Sequence, residues 1–244
     1  MQLERILKIT LITLCLIFLS LQIFSLEFQA SGARVSLVLL LTLLYYVRVE
    51  RKRLFFLLFL LCFSLAELLG FISYFIEIDY DTSPDYFYYL GNGFYILSYI
   101  FLIIRVLRDM ELKTVIRKFW IHLIVLTVLD VFCVIILSGT TKNLLSVNEF
   151  SMEFFYNAVI MVLLTVAMIN YMSKNTQKSM NLLLGAIFIF FSEVIQMTYF
   201  YISDINILNV MCSLFLVLAF LFFYLQARIP LESEQKTIQQ DIQV

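Results

Sequence analysis

Eight apolar runs follow one another through almost the whole chain, each close to the length a helix needs to cross a bilayer. A helix rises 1.5 Å per residue, so about 20 apolar residues cover the hydrocarbon slab. The runs fall at Ile6–Ser25, Val35–Val47, Leu54–Ile76, Tyr86–Leu107, Phe119–Leu137, Phe150–Met172, Met180–Ile202 and Ile205–Gln226. The second is short and draws in Ser31–Gly32–Ala33 at its start. Only Ser203–Asp204 separates the last two, which demands a tight hairpin. Of the 244 residues, 62% are hydrophobic, more than a soluble domain of this length can bury, so lipid must serve as part of the solvent. The sequence therefore predicts an all-α polytopic bundle over residues 1–229. The polar tail at 230–244 is expected to be a disordered cytoplasmic extension.

The basic residues give an orientation. With both termini in the cytoplasm, the N-terminus, the inner loops and the tail together hold 15 of the 17 Lys and Arg, leaving Arg34 and Lys142 outside. The positive-inside rule expects that bias. Glu77, Asp79, Asp81 and Asp85 make one outer loop acidic, and Thr82–Ser83–Pro84–Asp85 reads as a helix start. The net charge of −1 gives no reason to expect a nucleic-acid partner. Cys15, Cys62, Cys133 and Cys212 lie in apolar runs as small hydrophobes, and the single His122 cannot supply a multi-histidine metal centre. No metal or organic cofactor is expected.

Two glutamates break the apolar pattern: Glu67 in the third run and Glu193 in the seventh. An acid at the centre of a membrane helix costs about 2.5–3.5 kcal/mol on insertion scales, so it must face the bundle interior, pair, or stay protonated. Glu67 follows Arg53 by 14 residues and Glu193 follows Lys178 by 15, in helices of the same direction, which sets both at one depth. Asp130, 12 residues after Lys118, falls at a comparable level. Helical spacing places Ser64 beside Glu67, and Ser192 and Gln196 beside Glu193. It gives the fourth run a stripe of Tyr88, Asn92, Tyr95 and Tyr99, with Ser98 alongside, and Tyr156 and Asn157 come from the sixth. Glu67 and Glu193 are the candidate catalytic pair, and Ser64, Asn92, Tyr95, Ser98, Tyr99, Asp130, Tyr156, Asn157, Ser192 and Gln196 the candidate pocket. Each has a structural alternative: serines as small packing residues, Asn157 and Asp130 as interhelical hydrogen bonds, the tyrosines as an interfacial belt.

Two segments resemble the YhhN-type lysoplasmalogenases, integral membrane proteins of about eight spans. That family's first motif runs Phe-Ser-Leu up to a Gly-Asp pair; here Phe63–Ser64–Leu65 leads to Ala66–Glu67. A following G-x-x-F-x-x-x-H-x-x-Y has its counterpart in Gly91, Phe94, Ser98 and Phe101. The second motif, GALLFxxSD, is similar to Gly185–Glu193, GAIFIFFSE. Looser echoes are Tyr156–Asn157–Ala158, Val166–Met168 and Phe222–Gln226. Both family aspartates are glutamates here and the motif histidine is Ser98. The resemblance implies a hydrolase that splits the vinyl ether bond of a lysoplasmalogen-like lipid into a fatty aldehyde and a glycerophospho-head group. It also implies a bacterial inner-membrane location, membrane lipids as the partners, and Glu67 and Glu193 as the acid–base pair. Arg105 and Lys113 are placed to meet a head group from the cytoplasmic side. A lipid-binding or sensing protein with the same pocket, or a proton-coupled transporter, would also need intramembrane acids. Oligomeric state is not encoded in any of these features.

Overall fold

The computed structural model describes residues 2–49, 52–76 and 85–229. The acids Glu77, Asp79 and Asp81, the Thr82–Pro84 part of the expected helix start and the tail at 230–244 lie outside the described residues. Among the described residues there are eight helices and no strand: α1 (Gln2–Ile23), α2 (Glu27–Arg48), α3 (Leu54–Ser73), α4 (Tyr86–Arg108), α5 (Leu112–Thr141), α6 (Val147–Lys174), α7 (Gln177–Tyr201) and α8 (Asn206–Arg228). All eight are long and apolar enough to cross a membrane. The chain thus has the helical architecture of a multi-pass membrane protein.

Local chemistry sets the helix ends. Asp85 starts α4, its carboxylate accepting a 2.9 Å bond from the Tyr88 amide. Ser146 and Glu149 form a reciprocal capping box at the start of α6. Asn175 ends α6 in the left-handed region (φ 47°, ψ 42°), a conformation that Asn tolerates better than most residues. Thr176 then caps α7 through Ser179, so the connection needs no further residues. The second span is a full helix from Glu27, longer than its most apolar part, which carries Arg34 into the spanning segment. α5 begins at Leu112, before the apolar run, and is kinked at Phe119 (φ −116°, ψ 22°).

Seven helices close a ring in the order α1, α2, α3, α4, α6, α7, α8 and back to α1. α5 stands outside it, against α6 with a lighter touch on α7. Ile121, Ile124, Val125, Val128, Phe132 and Ile135 of α5 are exposed, as a lipid-facing helix requires. Aromatic side chains fill the ring. Phe59 of α3 stacks on Phe220 of α8 (5.8 Å between centroids, 11°) and meets Phe223 edge-on at 5.5 Å; Phe63 meets Phe220 at 4.6 Å. These contacts join α3 to α8 across the interior.

The most extensive helix pairing is α7 on α8, and Gly185 makes room for Phe223 there. A Cβ at that position would stand 2.5 Å from the Phe223 ring, well inside contact distance. Gly185→Ala should therefore cost about 1–3 kcal/mol as an overpacked site. Gly91, where a Cβ meets nothing within 4 Å, should accept Ala with unchanged or slightly higher stability. Thermal unfolding of the two variants in detergent checks this contrast.

Candidate functional site

The ring interior contains a polar cluster built from five helices. Its centre is a pairing the sequence reading did not anticipate: Arg34 Nε of α2 lies 2.6 Å from Glu67 Oε2 of α3. Glu67 is 2% exposed. The placement of Arg34 among outer-side basic residues is corrected, because α2 begins seven residues earlier and carries Arg34 about two turns into the span. α2 and α3 run in opposite directions. Arg34 is seven residues from its helix start and Glu67 six from its helix end, so both lie roughly 10 Å inside the same end of the bundle.

Glu193 has different company. The Tyr99 hydroxyl of α4 donates a 2.8 Å bond to Glu193 Oε1. The Tyr156 hydroxyl of α6 is within hydrogen-bonding reach of the same carboxyl. Tyr95, one turn from Tyr99, has its hydroxyl within bonding reach of Glu67 and in the field of Glu193. The rings of Tyr95 and Tyr99 meet that of Tyr156 at 6.3 and 6.1 Å, and Phe63 backs Tyr95 at 4.9 Å. Glu67, Glu193, Tyr95, Tyr99 and Tyr156 therefore belong to one cluster, in which Arg34 and Tyr95 face Glu67, and Tyr99 and Tyr156 face Glu193.

The remaining candidate residues do other work. Asp130 accepts a 2.8 Å bond from Thr165 Oγ1 of α6. Thr165 lies nine residues, roughly 13 Å along α6, from Tyr156, on the far side from the helix start. Asp130 is thus outside the ring and off the level of the cluster. Counting residues from Lys118 gives a depth along α5 but cannot reveal that α5 is peripheral. Asn157 donates to Ser138 of α5 at 3.3 Å and to Glu153 at 3.5 Å, so it rivets α5 to α6. Ser64 donates to the Leu60 carbonyl and contacts Thr42 of α2. Ser192 donates to the Cys212 carbonyl of α8 at 2.8 Å. Ser98 donates to the Tyr95 carbonyl and Asn92 to the Tyr88 carbonyl, both within α4. Gln196 is half-buried one turn beyond Glu193. Arg105 is buried, donates to Gln226 of α8 at 2.9 Å and lies over the Phe56 ring, a tie between helices.

A second residue escaped the sequence reading. Glu153, half-buried on α6 one turn from Tyr156, exerts its charge on Glu193. Its place near the start of the sixth apolar run and its i, i+3 relation to Tyr156 were the available signal. Beside the cluster, between α1, α2 and α8, lies a cavity of about 460 Å³ that includes Arg34 in its wall. Beside the two glutamates, where a pocket was expected, the rings of Tyr95 and Tyr99 pack on that of Tyr156.

No family model, curated protein or solved structure matches the chain.

Removing one partner of a buried ion pair leaves the other charge uncompensated, at a cost of about 3–5 kcal/mol. Arg34→Met should lower stability by that order. Arg34→Met combined with Glu67→Leu should regain most of it, because an apolar pair replaces two charges. A double-mutant cycle on thermal unfolding in detergent tests the coupling.

Proposed function

We propose that this chain is a membrane-embedded hydrolase of lysoplasmalogen-like vinyl ether lipids, with Glu193 as the proton donor and Glu67 as the charge-stabilising carboxylate. The observation that carries the reading is that Tyr99, bonded to Glu193, lies one turn from Tyr95, whose hydroxyl is within reach of Glu67, so carboxyls from separate helices border one tyrosine cluster. Their unequal partners suit unequal roles. Glu193, bonded by hydroxyls, delivers its proton to the β-carbon of the vinyl ether, and the α-carbon becomes an oxocarbenium ion. Glu67, tied to Arg34, contributes negative charge beside that cation. Water adds to the cationic carbon and returns a proton to Glu193. The hemiacetal then collapses to aldehyde and the glycerol hydroxyl, so one water is consumed and the acid is regenerated. Substrate reaches the carboxyls when the half-buried Tyr95 ring swings aside.

Purified protein in lipid nanodiscs, given lysoplasmalogen, should release fatty aldehyde, followed with an aldehyde-coupled dehydrogenase. Glu193→Gln and Glu67→Gln should each reduce the rate at least a hundredfold. Tyr99→Phe should reduce it by about tenfold, the loss of one positioning hydrogen bond. Asp130→Asn should leave it unchanged. Wild-type protein that releases no aldehyde would refute the hydrolase.

A second reading, lipid binding without turnover, is favoured by one observation: tyrosine rings pack closely on one another beside the carboxyls. In that reading the lipid binds saturably and no aldehyde appears.

We also infer that both termini face the cytoplasm of a bacterial inner membrane. The support is the bias of basic residues, which strengthens once Arg34 is counted as a buried partner of Glu67. A green fluorescent protein fused at the C-terminus should be fluorescent, and an alkaline phosphatase fused there inactive. The reverse pair of results would overturn the orientation.

A further inference from the structure

A guanidinium buried inside a helix bundle needs a negative partner, and Arg105 has no ion pair among the described residues. Arg105 lies three residues from the end of α4 and Gln226 two from the end of α8, so both sit within roughly 5 Å of the same end of the bundle. Arg105 is 5% exposed and Gln226 1%. α4 and α8 are not neighbours in the ring, so the 2.9 Å bond from Arg105 Nη1 to Gln226 Oε1 crosses its interior. That bond uses the acceptor of the amide and leaves only donors: Arg105 Nε and Gln226 Nε2 are buried and unpaired among the described residues. Asp109, one turn further on, is engaged with Arg53 at 3.0 Å. The dipole at the end of α4 supplies roughly half a unit of negative charge, which leaves the guanidinium undercompensated. The Phe56 ring covers it at 5.2 Å and itself packs on Tyr45 at 4.8 Å. A water bridging these donors to the unpaired Oδ1 of Asn170 on α6 would satisfy hydrogen bonds and leave the charge standing.

We propose that Arg105 and Gln226 bind a single halide ion, chloride under ordinary conditions, held by the Nε–H of the one and the Nε2–H of the other. Charge sets the class of ligand: one guanidinium answers one negative charge, and a divalent inorganic phosphate would bury a second without a partner. The two donors come from different helices and are linked through one hydrogen bond, so an ion that takes both is held by a charge-assisted bond on the α4 side and a neutral one on the α8 side. Burial sets the size, since so little of either side chain is exposed. The ion enters from the adjacent end of the bundle, where Arg53, Arg108 and Arg228 raise the local potential for anions. Bound there, it secures the crossing from α4 to α8, six residues, or roughly 9 Å along α4, from Tyr99 of the glutamate cluster. The site stands independently of the hydrolase reading, because neither Glu67 nor Glu193 takes part and no lipid is bound in it.

The test uses the full-length protein in a neutral detergent, with chloride and bromide as the probes. Heat unfolding is followed while sodium gluconate is exchanged for sodium chloride or sodium bromide at constant ionic strength. Both halides should raise the unfolding temperature saturably, since an ion that binds only the folded state stabilises it by mass action. Arg105→Gln should raise the chloride concentration needed for half the effect at least tenfold. Gln226→Glu places a carboxylate against the guanidinium, so this variant should ignore chloride and unfold in gluconate no lower than the wild type does in saturating chloride. If Arg105→Gln does not fold, Gln226→Glu decides. Crystals grown in bromide should show an anomalous peak within bonding reach of Arg105 Nε and Gln226 Nε2. Three results would overturn the proposal: a wild type that unfolds at one temperature in gluconate and chloride, as a bound water predicts; a chloride response that survives Gln226→Glu; or bromide peaks that all lie away from this pair. Aldehyde release plays no part in these readouts, so failure here and failure of the hydrolase are told apart.

Discussion

A carboxylate buried among apolar helices needs a partner, and the bond from Arg34 to Glu67 supplies it. In a low-dielectric interior neither charge is tolerated alone, so the two fix the relative height of α2 and α3. That pairing leaves the other intramembrane glutamate to the hydroxyl groups of Tyr99 and Tyr156. The asymmetry between the two acids therefore follows from where one arginine lies. It also decides which roles they can take: the glutamate with a guanidinium partner suits charge stabilisation, and the one held by hydroxyls suits proton transfer.

The surrounding ring explains how these side chains are held. Stacked phenylalanines on α3 and α8 span the interior and tolerate no slippage of either helix. Gly185 lets α7 come close to α8, and Ser192 on the same helix, the residue before Glu193, donates to the α8 backbone. Glu193 thus projects from a helix fixed by packing on one side and by tyrosine hydroxyls on the other. Polar bonds at α5, by contrast, fasten a lipid-facing helix to the outside of the ring through Asp130 and Asn157. Polar residues at membrane depth are of two kinds here, and only those inside the ring form the cluster.

Much of the fold was legible in the sequence. Long apolar runs give helices by the need to satisfy backbone groups in lipid, and all eight runs are helices. The pairing of Glu67 and Glu193 with tyrosines was likewise readable, because equal depth and a stripe on α4 are consequences of helical periodicity. Three things were not. Arg34 was counted with the outer-side charges because apolar windows trim the polar first turns of a helix. The peripheral place of α5 depends on which helices are neighbours, and hydropathy does not encode that. Serines and Asn157 were ambiguous from the outset, since a hydroxyl or amide that lines a pocket and one that bonds the next backbone have the same spacing. The cavity beside α1 was also out of reach, as it needs α8 to meet the first two helices from the far end of the chain.

The unequal pairing of the two carboxyls is the central claim, and a lipophilic carbodiimide tests it directly. This reagent enters the membrane and modifies buried carboxyl groups that lack a cationic partner. Mapped by peptide mass spectrometry, the wild-type protein should be modified at Glu193 and spared at Glu67, and Glu67 should become reactive once Arg34 is replaced by Met. Equal modification of both glutamates in the wild type, or a Glu67 that stays inert without Arg34, would contradict the account.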